Sequence, residues 1–123
     1  MKLTTKTKYA LQTILYMSTK NRIVNGREIA LELGVGYDYP NQLCRDLAKS
    51  GIIRVIRGAG GGYQTHADTM NTELGYLMRV VGDATHTEIE QNNHNAQQIV
   101  NALNEAFRTF QFTKLKELFY GTN

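Results

Sequence analysis

Residues 57–65, "RGAGGGYQT", place four glycines within five positions, with an arginine directly before them and a tyrosine directly after. Glycine-rich loops hold phosphates when main-chain N–H groups converge on an anion at the start of a helix. Neither familiar spacing is met here. A G-x-G-x-x-G fingerprint counted from Gly58 needs glycine at 63, where Tyr63 stands, and the chain has no Gly-Lys-Ser/Thr run for a P-loop. Both also need a helix straight after the loop, whereas "YQT" reads as extended chain. The glycines are expected at the tip of a hairpin, where positive φ or close approach to another surface excludes a Cβ. Arg57 then becomes a cation carried at the edge of a protruding tip.

A second group with chemical potential is "DYPNQLCR", residues 38–45. Asp38, Tyr39, Asn41 and Gln42 fall in the first turn of an expected helix, and Arg45 lies one turn further along. The carboxamides of Asn41 and Gln42 can each make a two-point contact with adenine, Asp38 can accept from cytosine, and Arg45 suits a phosphate. Thr4, Thr5, Lys6 and Lys8 stand where a helix begins, placed for phosphate contact with the positive end of the helix assisting. Catalytic groups are scarce by comparison. The three histidines (His66, His86 and His94) fall in expected connections, and no Ser/His/Asp or metal-ligand spacing is present. An enzyme is not indicated.

The single cysteine, Cys44, excludes an internal disulfide framework and any all-cysteine metal or cluster site within one chain. It adjoins Leu43 and precedes Leu47 by three residues, which predicts burial against the core. The sharper alternative is an oxidation switch, with Arg45 lowering the thiol pKa.

The elements that must position these residues follow from periodicity. Residues 5–19 carry Tyr9, Ala10, Ile14 and Met17 at helical spacing, widened by Leu11 and Leu15, with Thr4 or Thr5 as N-cap. "NGREIALELGV" is a shorter helix facing inward with Ile29, Ala30 and Leu33 and stopped by Gly34. A third helix runs from about Asp38 to Ser50, burying Leu43 and Leu47, with Gly51 as its stop. Pro40 fits in its first turn, where a missing N–H costs no intrahelical bond. "IIRVIR" and "YQT" make the hairpin, and "NTELGYLMRVVGD" a helix with Leu74, Leu77, Met78 and Val81 on one face. Residues 83–93 are polar and aperiodic, hence a loop. Residues 94–110 repeat Ile99, Val100, Leu103, Phe107 and Phe110 at three and four residues, and Thr113 is expected to cap a last short helix with Leu115, Leu118 and Phe119.

At 123 residues the chain suits one domain with an appended element. Residues 1–62 hold ten Lys/Arg against four Asp/Glu, and the remainder four against seven. A basic half suggests a polyanionic partner. No apolar run approaches the length of a membrane span, and residues 1–20 lack the features of a signal peptide, so the expected setting is the cytoplasm and no membrane partner is expected.

The expected fold is mainly α: a winged helix-turn-helix with a two-stranded β wing over residues 1–82, a loop at 83–93, and a long dimerisation helix plus a short terminal helix over 94–123. Such a unit suits duplex DNA, its third helix entering the major groove. Arg57 can reach the adjacent minor groove, where Gly58, Gly60 and Gly61 bring main chain close to the backbone. One unit buries little surface, so a homodimer through Ile99, Val100, Leu103, Phe107 and Phe110 is expected, although the same stripe could complete the intrachain core. The leading expectation is a sequence-specific regulator of transcription acting as a repressor on a palindromic operator. The alternative is a winged-helix module that binds a protein partner without DNA readout.

Residues 3–63 resemble the Rrf-type family of bacterial winged-helix transcription regulators. The resemblance is carried by "LTTKTKYAL", "REIALELGV", "YPNQLCRDLAKSGII" and above all "VIRGAGGGY", which in the family usually reads V-R-G-x-G-G-G-Y. It continues more weakly through "LGYLMRVVGD" and "TKLKEL". The resemblance implies a homodimer joined by the long helix, base reading by Asp38, Asn41 and Gln42, and Arg57 in the minor groove. Pro40 replaces a usually apolar residue. Iron–sulfur members carry three cysteines between the helix ending near Gly82 and the long helix, and residues 83–93 carry none. The resemblance is therefore to the cluster-free branch with no cofactor, and a lone His94 cannot replace three thiolates.

Overall fold

A computed structural model describes residues 4–82, 105–106 and 110–121. The loop expected at 83–93 and most of the helix expected at 94–110, including Ile99, Val100, Leu103 and Phe107, lie outside the described residues. Helix α1 spans Thr5–Lys20, α2 Gly26–Leu33 and α3 Asp38–Lys49; strands β1 (Arg54–Ile56) and β2 (Gly62–Gln64) follow, then α4 (Leu74–Val80) and α5 (Leu115–Tyr120). The mainly helical architecture with one antiparallel pair is the one the periodicity predicts.

Local chemistry sets the ends of the first three helices. Thr4 caps α1, its side chain accepting from the N–H of Thr7, and Asn21 ends the helix in the left-handed region at φ 51°. Asn25 caps α2 by accepting from the N–H of Glu28 at 2.9 Å. Gly34, at φ 70°, closes α2 by turning its own N–H back to the last carbonyls. Gly26 is buried where α2 meets α3: a Cβ there would sit 3.2 Å from the Tyr37 ring. Pro40 is buried in the first turn of α3, as its missing donor allows.

The hairpin is shorter than "IIRVIR" suggests. Ile52 and Ile53 are not strand residues; both are buried in the turn after α3, their N–H groups reaching back to the carbonyl of Leu47. Apolar β-branched residues give the same sequence signal whether they pair or plug. The strands pair Arg54 with Gln64, Val55 with Tyr63 and Ile56 with Gly62. A third partner joins them. Val24, between α1 and α2, exchanges two main-chain bonds with Tyr63, at 2.9 and 2.7 Å.

The core gathers Ile14 and Met17 of α1, Ile29 of α2, Leu43, Cys44 and Leu47 of α3, and Leu74, Leu77 and Met78 of α4. The C-terminal segment returns to this core. Leu74 donates to the carbonyl of Thr113, Gly75 to that of Gln111, and Leu115, fully buried, to that of Thr72. Thr113 is therefore not the cap of α5. Lys114 holds that position without a side-chain bond, because the main chain of Thr113 is committed to α4. Phe110, assigned to the dimer stripe, packs half-buried against the chain's own core.

Candidate nucleic-acid interface

Successive residues of an α-helix rotate by about 100°, so Asp38, Asn41, Gln42, Arg45 and Lys49 share one face of α3. The opposite face carries Pro40, Leu43, Cys44 and Leu47, all buried. The polar face is thereby fixed outward by the burial of its back. Asp38, Gln42, Arg45 and Lys49 are exposed and Asn41 is half-buried. Tyr39 departs from the expectation: it packs against the core and meets Tyr9 edge to face, ring centroids 5.6 Å apart. Its position one residue off the polar face turns it inward.

Gln42 donates its amide N–H to Asp46 at 2.9 Å, one turn along. The carboxylate holds the carboxamide in one orientation, which makes Asp46 a positioning residue that base-contact chemistry alone does not reveal. Lys6 comes beside this pair, lining a shallow depression of about 200 Å³ with Tyr39, Gln42 and Asp46. Thr5, Lys6 and Lys8 are exposed at the start of α1. Thr4 is occupied as the cap.

The wing tip stands clear of its own subunit. Gly58 and Gly60 have φ of 99° and 75°, and a Cβ on either would meet nothing within 4 Å. Gly61 differs. A Cβ there would come 2.1 Å from the carbonyl oxygen of Ile56, and one on Gly62 would come 2.3 Å from that of Val24. The close approach that excludes a side chain at Gly61 is thus to its own hairpin.

Arg57 is exposed at the base of the tip, and with Asn41, Tyr37, Gly58 and Gly61 it lines a cleft of about 330 Å³ between the wing and the starts of α2 and α3. Arg27 extends the basic rim, its guanidinium 5.9 Å from the centroid of the exposed Tyr37 ring. Two elements far apart in sequence thus bring a carboxamide and a guanidinium to one opening. Away from it, Arg22 forks onto Glu28 at 2.9 and 2.5 Å and Tyr16 donates to the same carboxylate at 2.6 Å. Those donors, Arg22 first, hold the Glu28 carboxyl down at about 2 against an ordinary 4.5. This trio braces α1 against α2.

Cys44 is fully buried, and burial pushes its thiol up to about 12. Arg45 is exposed and burial alone shifts the thiol, so among the described residues no group favours the thiolate that an oxidation switch would use. A thiolate-held iron centre does not fit either: one enclosed thiol is the sequence's whole supply. Among the described residues no three His, Cys, Asp or Glu side chains gather to hold a metal ion.

The sequence matches the Rrf2 family model, described as "Iron-dependent Transcriptional regulator", over residues 3–119. It is 31% identical over 86 residues to the HTH-type transcriptional regulator IscR of Vibrio vulnificus, an alignment covering 68% of this chain and 51% of that protein. It is 30% identical over 94 residues to the HTH-type transcriptional regulator NsrR of Bacillus licheniformis, covering 75% and 62%. The chain thus spans about half the length of the IscR relative. Among solved structures, the oxidized form of Staphylococcus aureus CymR superposes with a TM-score of 0.77 at 27% identity, covering 100% of this chain and 99% of the other. The CymR of B. subtilis, at 22% identity and a TM-score of 0.76, shares the fold. The winged helix-turn-helix, the arginine-led glycine tip and a match running from residue 3 to residue 119 lead to one conclusion: the chain belongs to the Rrf2 family.

Proposed function

We propose that this chain is a sequence-specific DNA-binding regulator of transcription, acting in the cytoplasm as a homodimer that represses from a palindromic operator and catalysing no reaction. The observation that carries the proposal is the shared cleft of Asn41 and Arg57. A base-reading carboxamide on a helix and a guanidinium on a hairpin tip suit the major groove and the adjoining minor groove of one duplex. Asp38 and Gln42 extend the helix contact, and Arg45, Lys6 and Lys8 supply phosphate contacts on either side. Gly58 and Gly60 let the tip follow the sugar–phosphate wall. The relatives, themselves HTH-type transcriptional regulators, support the same reading. Dimerisation through Ile99, Val100, Leu103 and Phe107 is proposed from their helical spacing, with Phe110 assigned instead to the intrachain core.

Selection of bound sites from random duplex DNA tests this directly. A palindromic consensus is expected, because two-fold protein symmetry writes itself into the site. Affinity for the selected duplex should fall steeply with salt through counterion release. Failure to enrich any sequence, or salt-insensitive binding, would replace the DNA reading with that of a protein-binding module.

A further inference from the structure

A helix in the major groove and a tip in the adjacent minor groove stand on opposite sides of one sugar–phosphate strand, since that strand is the wall between the two grooves. The space between α3 and the wing must then admit a strand. A cleft of about 440 Å³ lies there, lined by Arg45, Ala48 and Lys49 of α3 and by Val55, Arg57 and Tyr63 of the hairpin. Three cations surround an apolar floor, and no carboxylate is among the lining residues. None of the three cations forms an ion pair among the described residues. Tyr63 is only 8% exposed, and its hydroxyl makes no hydrogen bond among the described residues. Burial raises the pKa of that hydroxyl, so it stays a donor. A hydroxyl with no partner among those residues, opening into an uncompensated cationic cleft, is placed to donate to an acceptor that arrives from outside.

We propose that this cleft is the seat of one backbone phosphodiester, the one separating the two grooves contacted by α3 and the wing. Lys49 and Arg45 approach its oxygens from the helix and Tyr63 donates its O–H from below, while Arg57 passes over the strand toward the minor groove. The apolar floor of Ala48 and Val55 faces the deoxyribose. This rests on the DNA reading above and adds to it two residues, Lys49 and Tyr63, and a defined phosphate.

The experiment pairs protein variants with single neutral phosphates. Duplexes carrying the selected site, each with one methylphosphonate, are titrated with the wild-type chain, Lys49→Met and Tyr63→Phe. At one phosphate per half-site, neutralisation should weaken wild type by roughly tenfold and weaken Lys49→Met and Tyr63→Phe by clearly less, each variant having already lost one of the contacts to that phosphate. Lys49→Met should also lower the salt slope by about one per protomer. Tyr63→Phe, which keeps the ring in place, should leave thermal stability unchanged. Strictly additive losses at every phosphate position, with a palindrome still selected, would overturn the cleft assignment and leave the DNA reading standing. Absence of any selected duplex would overturn both. Saturable binding of inorganic phosphate to the free protein, abolished by Lys49→Met and joined to additivity on DNA, would assign the cleft to a free anion and likewise overturn the proposal.

Discussion

Gly60 and Gly61 are neighbours in the wing, yet one added methyl should cost more at one than at the other, and for a different reason. At Gly60 the obstacle is conformational: φ is 75° and nothing lies within 4 Å of a Cβ. Gly60→Ala should cost about 1 kcal/mol, and Gly60→Asn less, since asparagine tolerates the left-handed region. At Gly61 the obstacle is steric. The methyl would lie 2.1 Å from the Ile56 oxygen and 2.8 Å from the Gly58 oxygen, both main-chain atoms that cannot rotate away. Relief requires opening the loop and losing the 3.0 Å bond from the Gly61 N–H to the Gly58 carbonyl. Overpacking of about 1–3 kcal/mol plus a lost bond of about 1 kcal/mol puts the local cost near 2–4 kcal/mol. The loop can open without the core, so melting should drop by a few degrees only, at about 4 °C per kcal/mol reaching global unfolding. Binding should fall further. Arg57 anchors the same loop, and a minor-groove contact worth about 1–3 kcal/mol corresponds to roughly 5- to 150-fold in affinity. Anisotropy titrations of the selected duplex with Gly60→Ala, Gly60→Asn and Gly61→Ala read this directly. Equal affinities for the two alanine variants would refute the steric account and the role given to the loop.

Arg57→Ala should weaken the selected duplex by about 1–3 kcal/mol at unchanged melting temperature, because Arg57 is exposed and unpaired among the described residues; an unchanged Kd would remove it from the interface. Thr13 is fully buried on α1 with its hydroxyl lacking a partner among the described residues, so the isosteric Thr13→Val should stabilise by about 1 kcal/mol in urea unfolding, and destabilisation would contradict that accounting. The Glu28 carboxyl titrates lower in the folded chain, at about 2, than its ordinary 4.5. Its stabilisation is therefore full above the ordinary value and lost as pH falls toward about 2. Exposure of Arg22 limits the effect to about 1 kcal/mol or less, and the stability difference between wild type and Glu28→Gln should shrink across that acid range; a pH-independent difference would refute it. Cys44, with its thiol at about 12, should resist a thiol reagent at pH 8 in the native state and react promptly in urea, so prompt native labelling would show it accessible.

The polar face of α3 was legible because its reverse is apolar at helical spacing, and the tip because glycines cluster there and nowhere else. What escaped has definite physical causes. The Val24–Tyr63 bridge involves one residue of a linker, and a single pairing has no period to detect. Tyr39 and Asp38 are adjacent in sequence, yet one helical step separates a core contact from an exposed one. Gly61 and Gly58 look alike as letters; only the position of the Ile56 carbonyl distinguishes a glycine needed for packing from one needed for φ. Lys49 and Tyr63 acquire significance through a cleft that exists only once hairpin and helix are packed. Thr113 has the chemistry of a cap, but its carbonyl is spent on α4 before the last helix begins.

These long-range ties bear on how two grooves could be read together. A hairpin joined to the body only by its two ends would swing, and Arg57 would sample many distances from α3. Here β2 is bonded to the α1–α2 linker on one side and to β1 on the other, while α3 is seated on α2 through the missing Cβ of Gly26. Both contacts refer to the same short stretch, Val24 to Gly26. The main-chain separation between Asn41 and Arg57 is therefore set by hydrogen bonds and close packing, leaving only the side chain of Arg57 to adjust. Ordering entropy that a swinging wing would lose on binding is already lost in folding. A fixed separation also makes the width of the minor groove a measured quantity: duplexes that narrow it at the right distance from the helix contacts are favoured at base pairs the protein never touches.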